Sequence, residues 1–136
     1  MRNLTYRTTY FTVLVVGLLI SACSVQESTI KNTGFSAVYE LVSVDGKPVP
    51  TSISHGGPSI QIRSGLFTFH ADGTCSSLIV MVPPSGSEVK REVSATYTLE
   101  DSTLSMKWKG AGRTEGTIEG NTFTMVNEGI KFVYRK

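Results

Sequence analysis

From residue 36 onward, apolar and polar positions along the chain alternate with a period of two. Ala95, Tyr97 and Leu99 alternate with Ser94, Thr96 and Thr98. Leu104, Met106 and Trp108 are separated by Ser105 and Lys107, and Phe67 and Phe69 by Thr68. Ile130, Phe132 and Tyr134 share one parity, with Lys131, Val133 and Arg135 on the other. Successive side chains of a strand point to opposite faces, so this pattern predicts strands with one face in a core and one in solvent. No stretch after residue 35 carries a 3.6-residue period. The region is rich in Thr, Val, Tyr and Phe, which suit a pleated, half-buried surface. The expected class is all-β.

Turn chemistry punctuates the strands at short intervals. Asp45-Gly46, Ser64-Gly65, Ala71-Asp72-Gly73, Pro83-Pro84-Ser85-Gly86, Glu100-Asp101-Ser102, Gly110-Ala111-Gly112, Gly120-Asn121 and Glu128-Gly129 are each read as connections. They divide the chain into about nine strands joined mainly by hairpins. Hairpin after hairpin favours an up-and-down meander over a Greek key, which needs a long return connection. A meander of this size leaves two exposed edges unless it closes on itself. The expectation is a small antiparallel barrel of about eight to ten strands. Its last strand, Ile130–Tyr134, should lie beside its first, Val38–Val44. Residues 45–58 form the one long connection, with a brief extended piece at Lys47–Val49. Loops of this length are often functional, and this one could lie across a barrel mouth.

The first 35 residues follow a different rule. Arg2 and Arg7 precede the apolar run of residues 11–20. Ten residues of helix span about 15 Å, half the hydrocarbon thickness of a bilayer, so the run reads as a signal and not a stable span. The small residues Ser21 and Ala22 follow, then Cys23. Ile20-Ser21-Ala22-Cys23 resembles the lipobox of bacterial lipoproteins. That resemblance implies cleavage before Cys23, diacylglycerol on its sulfur and acylation of the new amine. Two or three acyl chains hold a protein firmly where one holds it marginally. Ser24 lacks the aspartate that, in such lipoproteins, retains the protein at the inner membrane. The resemblance therefore implies the periplasmic face of the outer membrane. The expected organisation is a signal peptide over 1–22, a lipidated cysteine and flexible tether over 23–35, and a barrel domain over 36–136.

Charge narrows the field of partners. The chain carries 13 Lys+Arg and 11 Asp+Glu. Because Arg2 and Arg7 lie before the cleavage point and no acid does, the mature chain is formally neutral. A nucleic-acid binder would need a basic surface to displace counterions from phosphates, so no nucleic-acid partner is expected. If Cys23 is lipidated, Cys75 has no partner in its own chain, and no internal disulfide is expected. Cys75 is read as a half-buried small side chain in a strand.

The stretch from Tyr39 to Pro50, then Phe67-Thr68-Phe69-His70-Ala71-Asp72-Gly73-Thr74, then Ala95–Leu99 and the terminal Val133-Tyr134-Arg135, resembles the lipocalin-like domains of small bacterial lipoproteins. The resemblance implies a barrel whose cup takes a small apolar molecule. It also implies that Arg135 closes one barrel end by packing on Tyr39.

The candidate ligand-binding residues are the inward aromatic set Phe67, Phe69, Tyr97, Trp108 and Phe132, together with Met106. In one reading they line a cup in which a few polar groups orient an apolar guest. In the other they fill the core, because an eight-stranded barrel is just wide enough for its own side chains or one small ligand. No metal or cofactor is expected, because His55 and His70 lie on different elements and Cys75 is the remaining sulfur ligand. His70 with Asp72 could form a base and its orienter, but Asp72 is accounted for by the turn. No nucleophile elbow occurs, and Gly110-Ala111-Gly112 is followed by a strand and not by a phosphate-cradling helix. The chain is therefore read as a non-enzyme: an envelope lipoprotein that binds a small hydrophobic or amphipathic ligand. The alternative is a filled barrel that meets a protein partner through its outer surface and the 45–58 loop.

Overall fold

The computed structural model describes residues 34–136. The signal segment, Cys23 and most of the tether lie outside the described residues. Ten strands follow one another: β1 (Ala37–Val44), β2 (Lys47–Pro48), β3 (Thr51–Ile53), β4 (Ile60–Phe69), β5 (Thr74–Val82), β6 (Val89–Glu100), β7 (Thr103–Trp108), β8 (Arg113–Glu119), β9 (Thr122–Asn127) and β10 (Ile130–Arg135). All pairings are antiparallel, and the sheet runs β2-β1-β10-β9-β8-β7-β6-β5-β4-β3. A further pairing of β1 with β4, from Ala37 opposite Phe69 to Glu40 opposite Leu66, closes the sheet. The wall is thus an eight-stranded up-and-down barrel, with β2 and β3 attached outside the ring. The expected neighbourhood of first and last strands is present, with Leu41 opposite Tyr134 and Val44 opposite Phe132.

Closure explains how the alternating pattern is used. Tyr39, Phe67, Tyr97, Met106, Phe123 and Tyr134 share the inner face and are buried, whereas their sequence neighbours are more exposed. Asp45 pins the seam between first and last strands. Its amide donates to the Lys131 carbonyl at 2.8 Å, and its carboxylate accepts from the Lys131 amide at 2.8 Å.

Two sequence expectations are corrected and one is extended. Ser64-Gly65 is not a turn: β4 runs through it, with an irregularity in its pairing to β5 between Ile62 and Ser64. Gly65 faces inward, where a Cβ would stand 2.8 Å from Ile79 Cδ1 and 3.0 Å from Leu41 Cβ. Glycine is there for close approach, not for chain reversal. The 45–58 connection carries the extended piece expected at Lys47–Val49 as β2, and adds β3. It holds β2 against the end of β1 and β3 against the start of β4. Arg135 does not pack on Tyr39: it stands opposite Glu40 in register, is exposed, and lies on the outer face, while Tyr39 points inward.

Candidate functional site

The two ends of the barrel differ. At one end lie the β4–β5 turn, the β6–β7 turn and the start of β1. Phe35, just before β1, covers this end. Its ring lies 5.5 Å from Phe69 and 6.3 Å from Tyr97, centroid to centroid. The Tyr97 hydroxyl sits 2.8 Å from the Phe35 carbonyl and 2.7 Å from the His70 carbonyl. With one proton to donate, it serves the two acceptors alternately and ties the leading segment to the β4–β5 turn. Above it the rings interlock. Phe67 lies 4.8 Å from both Phe69 and Phe123 and 5.6 Å from Tyr134, mostly edge-to-face. Tilted and edge-to-face pairs at these distances are the favoured aromatic geometries. This half of the interior is filled.

The other end is formed by the end of β1, the long β5–β6 hairpin and the turns after β7 and β9. Inward-facing side chains here are not sealed. Ile53, Ile60, Ile79, Met81, Trp108, Ile130 and Phe132 are partly buried and pack against the core from its open side. Val93, also on the inner parity of β6, is 37% exposed. The cause is strand length. β6 pairs with β7 only from Ala95 onward, so the stretch from Val89 to Val93 rises beyond the neighbouring wall.

Polar groups stand at this half-open end. Trp108 Nε1 donates to Thr114 Oγ1 at 2.8 Å, and Thr114 Oγ1 lies 3.4 Å from Asn127 Oδ1. Deeper in, the Tyr134 hydroxyl is fully buried and makes no hydrogen bond among the described residues. Burial pushes its pKa up to about 12; Ser77, itself buried, tempers the rise without reaching hydrogen-bond geometry. A buried hydroxyl without a partner costs about 1–3 kcal/mol, and such groups are rare in native interiors. The 45–58 segment reaches the same end: His55 Nε2 lies 3.6 Å from where a Cβ on Gly129 would stand.

The six sequence-derived candidates therefore separate. Phe67, Phe69, Tyr97 and Met106 are at most 3% exposed and belong to the filled part. Trp108 and Phe132 stand at the half-open end. Sequence reasoning missed Ile79, Met81, Ser77 and Tyr134 as companions. Leu78-Ile79-Val80-Met81-Val82 is apolar at every position, so alternation could not say which of its residues face inward. Cys75, on β5, is buried and free, and burial raises its thiol pKa to about 12, leaving it an unreactive core side chain. Asp72 accepts from the Thr74 amide and hydroxyl, and the hydroxyl bond is the main reason its pKa is lowered. Its carboxylate is thus engaged by the turn. No group of three or more His, Cys, Asp or Glu side chains that could hold a metal occurs among the described residues.

No protein-family model matches the chain, and no curated protein matches it. Among solved structures, a lipocalin-like protein from Bacteroides uniformis is similar to it, at 16% identity and a TM-score of 0.45, with 74% of this chain and 96% of that chain covered.

Proposed function

We propose that this chain is a non-enzymatic cell-envelope lipoprotein whose barrel takes a small hydrophobic or amphipathic ligand at its half-open end. The observation that carries the reading is the gradient of burial along the inner face. Side chains of one parity pass from sealed at the Phe35 end to partly exposed at the Trp108 end. An apolar wall with a few convergent polar groups is the usual make-up of a small-molecule site. Ile79, Met81, Val93, Phe132 and Trp108 supply the apolar wall. The Thr114–Asn127 pair supplies polar contacts for a head group. The anchor rests on Ile20-Ser21-Ala22-Cys23 and Ser24, whose chemistry would hold the barrel by acyl chains at the periplasmic face of the outer membrane.

Trp108 is the single tryptophan of the chain and reports directly on this site. Titrating the protein with a saturated C12–C16 fatty acid should change Trp108 emission saturably, at about one ligand per chain. Met81→Arg should weaken that response at least tenfold while leaving the β-sheet circular dichroism unchanged. Emission that does not saturate, or an unaltered response in Met81→Arg, would overturn the reading.

A further inference from the structure

A second site lies on the outer face of the barrel wall and reaches Trp108 at the rim of the apolar mouth. A concavity of about 920 Å³ is floored by β5, β6 and β7 and bounded by the start of β8. Cys75, Ala95 and Tyr97 border it but turn their side chains inward, so the floor's side chains are those of the opposite parity. These are hydroxyls and cations. Thr74 stands opposite Thr96, Thr96 opposite Lys107, and Lys107 opposite Arg113, which makes one unbroken row across four strands. At 4.7–4.9 Å between strands, that row is about 14 Å long. Ser76 opposite Ser94 and Thr98 opposite Ser105 flank it on either side.

The charge of this surface is one-sided. Lys107, Lys109 and Arg113 line the concavity, and among the described residues no carboxylate does. Four acids stand at its margins: Asp72 in the β4–β5 turn, and Glu92, Glu100 and Glu115 on the outer face of β6 and β8. Asp72 is engaged by Thr74, and Glu115, opposite Ser105, makes no ion pair with Lys107 or Arg113. Arg63–Glu88 is the one salt bridge among the described residues. Like charges directly opposite in a sheet repel, so the Lys107–Arg113 pair is locally unfavourable as it stands. An anion seated between them would turn that repulsion into charge-assisted hydrogen bonds, with the planar guanidinium suited to a carboxylate or sulfate. The Ser and Thr rows present donors and acceptors at regular spacing beside it, which matches a ligand that carries many hydroxyls.

We propose that this face binds an acidic saccharide, with its anionic group on Lys107 and Arg113 and its hydroxyls along the Thr74–Thr96 row and the flanking Ser and Thr side chains. A membrane surface is the poorer fit, because the cations lie on the wall of a concavity and Trp108, the one partly exposed large apolar side chain lining it among the described residues, is of the inner parity of β7.

The test is calorimetric titration of the full chain in mild detergent with trigalacturonate, with galactotriose as the neutral control. The acidic trimer should bind, weaken as salt is raised, and exceed the neutral trimer at least tenfold. The double variant Lys107→Ala/Arg113→Ala should lose at least tenfold in affinity, with an unchanged circular dichroism spectrum and melting temperature. Thr96→Val should weaken trigalacturonate at least threefold and leave inorganic sulfate binding unaltered. Failure of trigalacturonate to bind, or equal binding by the double variant, overturns the proposal. So does variant-sensitive binding of sulfate alone or of phosphatidylglycerol vesicles in place of the sugar, which would assign the cations to a simple ion or to a membrane.

Discussion

Two side chains in the interior, Cys75 and Tyr134, tie the stability of the barrel to alkaline pH. Each has its pKa pushed to about 12 by burial, from ordinary values of 9.0 and 10.0. Burial raises Tyr39 as well. A raised folded-state pKa means that the unfolded chain gives up its proton first as pH rises. Stability from these groups is complete below pH 9 and is lost progressively between about 9 and 12. Melting temperature should therefore be flat from pH 6 to 8 and fall above 9. Cys75→Ala should remove the part of the fall that begins near 9 and keep the part that begins near 10. A melting temperature independent of pH up to 11 would contradict the burial of both groups. At this scale the sequence was partly legible. Alternation placed Phe67, Phe69, Tyr97 and Met106 on the inner face, and they are there. It could not say that Trp108 and Phe132 lie at the half-open end, because a period of two gives the face of a residue and not its depth along the barrel.

Strands meet the limits of sequence reading where glycine or an unbroken apolar run replaces alternation. Ser64-Gly65 has the composition of a turn, yet Gly65 is a close-approach position within β4, and Gly116 plays the same part in β8. A Cβ at Gly116 would stand 2.7 Å from Phe123 Cε2 and 2.9 Å from the Thr124 carbonyl oxygen. The carbonyl belongs to the paired strand β9 and cannot swing away as the end of a flexible side chain can. Gly116→Ala should therefore destabilise by about 1–3 kcal/mol, the usual cost of overpacking, measured by urea denaturation. A neutral or stabilising effect would show that β8 and β9 are more loosely packed than described. The run from Leu78 to Val82 hid its inner face for the reason already given, and the register with β4 and β6 resolves it. Ile79 and Met81 face the interior; Leu78, Val80 and Val82 face out. The hairpin turns, by contrast, were legible because Asp-Gly and Gly-Asn carry the reversal in their own backbone preferences.

For the whole molecule, closure followed from the sequence by elimination, since a long meander without long connections leaves few other ways to remove its edges. The difference between the two ends did not. It arises from unequal strand lengths and from Phe35 folding over one end, and neither is written in local propensity. The proposed anchor belongs to this scale too. Cys23→Ala should abolish acyl incorporation from labelled fatty acid and move the protein out of the membrane fraction. Retention at the membrane would mean that something other than a lipidated cysteine holds it. The most direct test of ligand binding at the half-open end is native mass spectrometry of the chain purified from its own host and released from mild detergent. The account predicts one small-molecule mass retained per acylated chain in the wild type and absent in Met81→Arg. The bare acylated mass in both proteins, or an equal adduct in both, would contradict it.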